Sequence, residues 1–324
     1  MNQPQTDENR LQKVDIFRGL ALVGMVIYHF SWDLSYFSYI PPELPASGVL
    51  RILARLVAFC FLFTAGFSLY LAHAKKIRWH AYFHRLLVII LAACLVSLVS
   101  YFAMPQGFIY FGILHEIALT SIIALLFLHT PIFLNLIAIV TVFLAPYAFT
   151  SDIFNAPYLL WIGLSTCPRP SFDYVPVFPW FSAGLIGLTT ARVVDLFHGM
   201  SALKQGIRPH FLDTILQLMG RHSLIFYLVH QPVLLTILYC ITFIFPPSLH
   251  ALRAPMENAC VIECQKTQPD NNLCRDFCGC VFDEIEAQNL IAQFSKSEIS
   301  QDDDRLQKPV NACWGKIIGK LQTN

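Results

Sequence analysis

Long apolar runs separated by short polar breaks dominate the first three quarters of the chain. A helix that crosses a bilayer needs about 20 mostly apolar residues. Seven runs have roughly that length: residues 14–35, 48–72, 82–104, 108–128, 131–149, 176–195 and 221–246. The pattern predicts an all-α, polytopic membrane helix bundle of about seven spanning helices over residues 14–246. A polar segment, 1–13, precedes the bundle and a polar, cysteine-rich tail, 247–324, follows it. No small-residue cleavage site follows the first apolar run, so the first helix is expected to be retained.

Composition agrees with the pattern. Hydrophobic residues make up 56% and charged residues 13%, against roughly 45–50% and about 25% in soluble domains. Of the 21 acidic residues, 11 fall after position 246, which sets the tail apart from the bundle. The net charge is +1 and no Lys/Arg block occurs, so a nucleic-acid partner is not expected.

Lys and Arg in short loops set the orientation of membrane helices. Lys75, Lys76, Arg78 and Arg85 follow the second segment, and Arg192, Lys204 and Arg208 follow the sixth. Both groups belong in the cytoplasm, which places the N terminus there as well. An odd helix count then leaves the tail outside. An eighth helix within FLDTILQLM would return it to the cytoplasm.

The tail holds six of the ten cysteines, as Cys260-x3-Cys264, a nine-residue break containing QPDNN, Cys274-x3-Cys278, then Cys280 and Cys313. Each x3 pair occupies one helix face. In an antiparallel helical hairpin the natural pairing is Cys260 with Cys278 and Cys264 with Cys274, leaving Cys280 for Cys313. Six cysteines permit 15 pairings, and sequence alone selects none of them. An even count in an oxidising compartment favours disulfides over a metal, since no His lies among or after the six cysteines and the usual zinc spacings are not all matched. The tail reads as a stapled structural or interaction module, and no metal is expected.

The first segment, DIFRGLALVGMVIYHFSWDL, carries ionisable groups in a run of spanning length. Such groups are costly in lipid and normally face a protein interior, a water-filled cavity or one another. Asp15, Arg18, His29 and Asp33 form a stripe, because eleven residues bring His29 nearly onto the face of Arg18. His115, in FGILHEIAL, lies about 12 Å inside the outer end of the fourth segment, near the depth of His29. In GRHSLIFYLVHQPVLL, Tyr227, His230 and Gln231 follow Arg221 on a polar face. Arg18, Arg85 and Arg221 thus form a basic cytoplasmic mouth below a histidine-lined interior.

Each signal also has a plainer reading. Arg18 pairs with Asp15 or reaches the headgroups. Asp33 serves His29, or is neutralised by Arg51 or Arg55. The positive charge of Arg85 is accounted for by topology, Trp180 in FPWF reads as an interfacial anchor, and Tyr227 as a core hydrogen-bonder.

VDIFRGLALVGMVIYHF, FGILHEIAL, VFPWFSAGLIGL and GRHSLIFYLVHQPVLL, in this order, resemble the bacterial relatives of the heparan-alpha-glucosaminide N-acetyltransferase catalytic domain, within the wider transmembrane acyltransferase superfamily. The Arg-x10-His spacing of Arg18 and His29 is similar to the first-helix motif of membrane acyltransferases that modify surface polysaccharides. The resemblance covers about residues 14 to 246. It implies transfer of an acyl group, usually acetyl, from cytosolic acyl-CoA to a sugar hydroxyl or amine beyond a bacterial inner membrane. The relatives have more spanning helices than seven, which implies that part of the coenzyme or acceptor site is either missing here or supplied by another subunit, a further membrane protein or a second copy of the chain.

Attack on a thioester needs a base that titrates near neutrality, which histidine offers. His29 is the candidate base and Asp33 its orienting partner. His115, or the His230 and Gln231 pair, would donate to the thioester oxygen, and Trp180 and Tyr227 would line the substrate path. Arg18, Arg85 and Arg221 would grip coenzyme phosphates. The alternative function is a proton-coupled transporter or exporter, for which intramembrane Arg, His and Asp are equally ordinary. The segments show no inverted repeat of the kind transporters use.

Overall fold

A computed structural model describes residues 11–41, 43–204, 210–268, 270–295, 299 and 303–323. The described residues are helical with no strand. In chain order the helices are α1 (Gln12–Tyr36), α2 (Gly48–His73), α3 (Trp79–Ala103), α4 (Ile113–Ile123), α5 (Ile132–Ala148), α6 (Val177–Leu196), α7 (Met200–Lys204), α8 (Phe211–Arg221), α9 (Ser223–Ile244), α10 (Leu249–Thr267), α11 (Asn271–Ala287), α12 (Ile291–Ser295) and α13 (Asp304–Thr323).

Five of these, α1, α2, α3, α6 and α9, are long and apolar enough to cross a membrane. The expected count of seven is not reached by length and apolarity: the fourth and fifth apolar runs form the shorter helices Ile113–Phe127 and Ile132–Ala148. The fourth run is shortened by its own first residues. Phe108 to Gly112 leave the helical path, and serines of α3 hold their backbone: Ser97 Oγ donates to the Ile109 carbonyl at 2.7 Å and Ser100 Oγ accepts from the Ile109 N–H at 3.1 Å. The FLDTILQLM segment is α8, 11 residues long. At 1.5 Å per residue it spans only about 16 Å, too little for a crossing.

By internal contacts the chain divides into two compact units, one of Met1–Ile27 with Ile52–Gln231 and one of Tyr28–Arg51 with Pro232–Asn324. In the first unit α5 packs along α6, and α2 meets α6 in backbone contact. A Cβ on Gly66 would collide with the Gly184 carbonyl, and one on Gly187 with the Phe63 carbonyl. Small residues let helices approach closely where lipid offers no hydrophobic drive to associate them. Leu62, Leu185 and Leu188 are fully buried around this crossing. The completely buried Asn135 donates to Thr189 Oγ1 at 3.4 Å. Arg192, read from sequence as a topology signal, donates to the Phe127 and Thr130 carbonyls at 3.3 and 2.5 Å and so caps the end of the Ile113–Phe127 helix.

The second unit contains the tail. Disulfides join Cys260 to Cys278, Cys264 to Cys274 and Cys280 to Cys313. These are the pairings natural to an antiparallel hairpin, and they staple α10 to α11 and α11 to α13. Val281, Phe282, Ile285, Ile291 and Leu306 form the apolar core beneath them. Arg253 crosses the hairpin, with Glu257 and Glu286 each at 2.8 Å and Asp283 at 2.7 Å.

Candidate active site

The first unit contains a cavity of about 1270 Å³. Its charged lining is Asp15 and Arg18 from α1, Lys75, Lys76 and Arg78 from the turn between α2 and α3, Arg85 from α3, Asp195 from α6 and Arg221 from the end of α8. Six cations face two carboxylates, an excess of four positive charges. Low-dielectric walls concentrate such a field and draw in anions. The geometry follows from short connections. Five residues, 74–78, separate α2 from α3, so the KKIR turn is held at the helix ends. A single residue, His222, separates α8 from α9.

Arg18, Arg85 and Arg221, placed together by sequence reasoning, therefore do line one space. Arg18 also makes the plainer contacts: Asp15 Oδ1 lies 3.5 Å from one guanidinium nitrogen, and the other donates to Ser68 Oγ at 2.5 Å. Asp15 and Ser68 hold the two ends of the guanidinium fork, and Asp15, Arg18 and Ser68 all line the cavity. Gly220 positions Arg221. A Cβ at Gly220 would strike the Asp15 backbone carbonyl, so only glycine lets α8 end directly on α1.

The rest of the lining is largely apolar, with Val88, Ile89, Ile117 and Leu224 among it. Tyr227 also lines the cavity. It stands six residues beyond Arg221, about 9 Å further along the chain's helical rise. Its hydroxyl donates to Asp173 Oδ2 at 3.1 Å, and the same oxygen accepts the Ile113 N–H at 2.9 Å. Asp173 reaches this point because its loop pairs with the segment before α4: Phe172 N donates to the Gly107 carbonyl at 2.9 Å and Val175 N to the Phe111 carbonyl at 3.1 Å. Burial pushes the Asp173 carboxyl up, against the pull of the two donated hydrogen bonds. In the sequence Asp173 is one more loop acid. No periodicity ties it to residues 54 and 60 positions away.

His115 is engaged on both ring nitrogens. Nδ1 accepts the Gly112 N–H at 3.2 Å, which puts the ring proton on Nε2, 3.2 Å from Ser97 Oγ. The ring is a cap for the first turn of α4, with Asp173 capping the next N–H. Donation to a thioester oxygen would first have to break the Ser97 contact, and His115 is not among the residues lining the cavity. His230 Nδ1 lies 2.6 Å from the Tyr227 carbonyl. Gln231 follows it on α9. Trp180 packs with Tyr227 around Leu62, Ile113, Val175 and Ala183, so these two predicted substrate residues share one cluster.

His29 and Asp33 lie in the second unit, on the C-terminal half of α1. The His29 ring stands edge-on to Tyr28, with centroids 5.5 Å apart. Asp33, one turn on, is fully buried. Neither lines the cavity. Glu116, the sequence neighbour of His115, projects from a different face of α4. It is completely buried, accepts from Thr120 Oγ1 at 2.9 Å, and its second oxygen has no hydrogen-bond partner among the described residues.

Comparison with known proteins identifies the family. A family model described as "Heparan-alpha-glucosaminide N-acetyltransferase, catalytic" matches residues 10–232. No curated protein and no solved structure matches the chain.

Proposed function

Because the chain belongs to the heparan-alpha-glucosaminide N-acetyltransferase catalytic family, a membrane acetyltransferase family, we propose that it moves an acetyl group from cytosolic acetyl-CoA to a sugar amine or hydroxyl across the membrane. The observation that carries this reading is the convergence of Arg18, Arg85 and Arg221 on one cavity whose remaining lining is largely apolar and includes Tyr227. The donor's chemistry combines the same two characters: a multiply charged phosphate end and a thin arm that carries the thioester.

In this reading the guanidinium forks of Arg18, Arg85 and Arg221 hold phosphate oxygens, assisted by Lys75, Lys76 and Arg78. Val88, Ile89 and Leu224 flank the arm. His29 is the proposed base, taking the proton of the acceptor as it attacks, with Asp33 holding the ring. The basic mouth faces the cytoplasm, and the disulfide-linked tail lies on the outer side, where disulfides persist.

The test is direct. Purified protein is titrated with acetyl-CoA and then assayed for label transfer from acetyl-CoA to glucosamine and to neutral sugars. Micromolar binding together with transfer supports the reading. Protein that neither binds acetyl-CoA nor is stabilised by it ends it.

A further inference from the structure

Tyr227 lines the cavity, and the transfer chemistry assigns its hydroxyl no task. Its hydrogen-bonding capacity is fixed by its partner. The phenolic proton is spent on Asp173 Oδ2 at 3.1 Å, and that oxygen is held in place by the Ile113 N–H at 2.9 Å. Gly112 is needed for this arrangement, because a Cβ there would collide with the Asp173 carboxylate. A phenol that donates to a carboxylate has only lone pairs left to offer. Toward a ligand, Tyr227 therefore acts as an acceptor. The apolar lining of the cavity includes Ile113, Leu114, Ile117 and Leu224, and Leu114 and Leu224 pack in one cluster with Tyr227.

A ligand N–H entering such a wall loses its water and needs a replacement acceptor. The arm of an acyl-CoA carries two secondary amides, each with one N–H. We propose that Tyr227, positioned by Asp173, is the acceptor for an amide N–H of the pantetheine arm, and so distinguishes a complete coenzyme A donor from its nucleotide end. The inference rests on the proposed acyl-CoA reading. It assigns Tyr227 to the arm, the six cations to the phosphates, and Asp173 to positioning. A thioester carbonyl is excluded as the partner, because it needs a donor and Tyr227 has none to give while Asp173 is ionised.

The experiment measures binding of two probes to the full-length protein in detergent: coenzyme A, and 3′-phosphoadenosine 5′-diphosphate, which lacks the arm. Wild type is expected to bind coenzyme A more tightly than the nucleotide. Tyr227→Phe removes one oxygen and should weaken coenzyme A by about tenfold or more, while leaving the nucleotide unchanged. Asp173→Ala removes the oxygen that takes the phenolic proton and leaves the hydroxyl free to turn as a donor. It should likewise weaken coenzyme A alone, with Tyr227 still in place. Arg221→Ala should weaken both probes. Unchanged coenzyme A affinity in Tyr227→Phe, or equal loss of both probes in variants of wild-type helix content, overturns the assignment of Tyr227. Wild type that binds neither probe removes the donor reading itself, and the proposal with it.

Discussion

The backbone of Gly220 rests against the backbone carbonyl of Asp15, so that the end of α8 touches α1 with no side chain between them. That contact delivers Arg221 to the cavity lined by Arg18. Gly220→Ala should force the helices apart and destabilise the fold by about 1–3 kcal/mol, the usual cost of overpacking. Acetyl-CoA affinity should fall with it. Thermal unfolding in micelles and a donor titration check both effects, and an unperturbed variant would contradict the contact.

Arg85 is the cleaner test of the basic mouth, since Arg18 also holds Asp15 and Ser68. Arg85→Ala should cost about 1.5–3 kcal/mol of donor binding, roughly 10- to 100-fold. The loss should shrink as salt is raised, because screening weakens exposed charges most. Titration at low and high ionic strength reads this out. Lysine at position 85 should restore only part of the affinity, because an ammonium lacks the fork.

His29→Ala should abolish transfer while leaving membrane insertion and acetyl-CoA binding intact. Near-wild-type turnover in this variant would remove His29 as the base. The same preparation assayed for binding separates lost chemistry from lost folding.

Asp173 should leave a mark on the pH dependence of stability. Burial raises its carboxyl in the folded state above an unfolded value of about 3.9. The native state then binds the proton more tightly, so stability is greatest below that value and declines as pH rises through the window up to the folded pKa. Asp173→Asn should flatten this decline. Unfolding midpoints measured from about pH 4 upward in both proteins give the comparison, and identical profiles would mean that Asp173 does not titrate in this window.

The Cys280–Cys313 bridge spans 33 residues, the longest of the three loops in the tail. By chain entropy it should contribute about 3–4 kcal/mol to the tail's stability. Cys280→Ser with Cys313→Ser should make the tail sensitive to protease at temperatures where wild type resists. Equal resistance would show that the Val281 and Phe282 core holds α13 without the covalent link.

Several features are legible in the order of residues. Apolar runs of bilayer length mark α1, α2, α3, α6 and α9 as spans, because a spanning helix must satisfy its backbone internally and its side chains in lipid. Arg18, Arg85 and Arg221 can be grouped because a charge within a span has few places to go except a shared interior. The hairpin spacing of the cysteines names the natural partners, although it does not choose among the permitted pairings.

Other features have no signal along the chain. The run 108–128 is apolar throughout, yet its first residues are not helical, because Ser97 and Ser100 hold the Ile109 backbone. Apolarity reports what lipid or a core tolerates, not where a helix starts. His115 has the sequence context of a buried acid–base group and is a cap, a distinction that depends on where Gly112 and Ser97 lie in space.

Local periodicity and the cost of burying charge are enough to specify the membrane class, the long apolar runs, the basic mouth and a cysteine-rich tail, so all of these can be read from the chain alone. The meeting of Asp173 with Tyr227 and Ile113, and the placing of Gly66 and Gly220 at backbone crossings, depend on the folded arrangement. Those contacts join residues far apart in the chain, where no spacing rule applies and only the packed helices fix which groups meet.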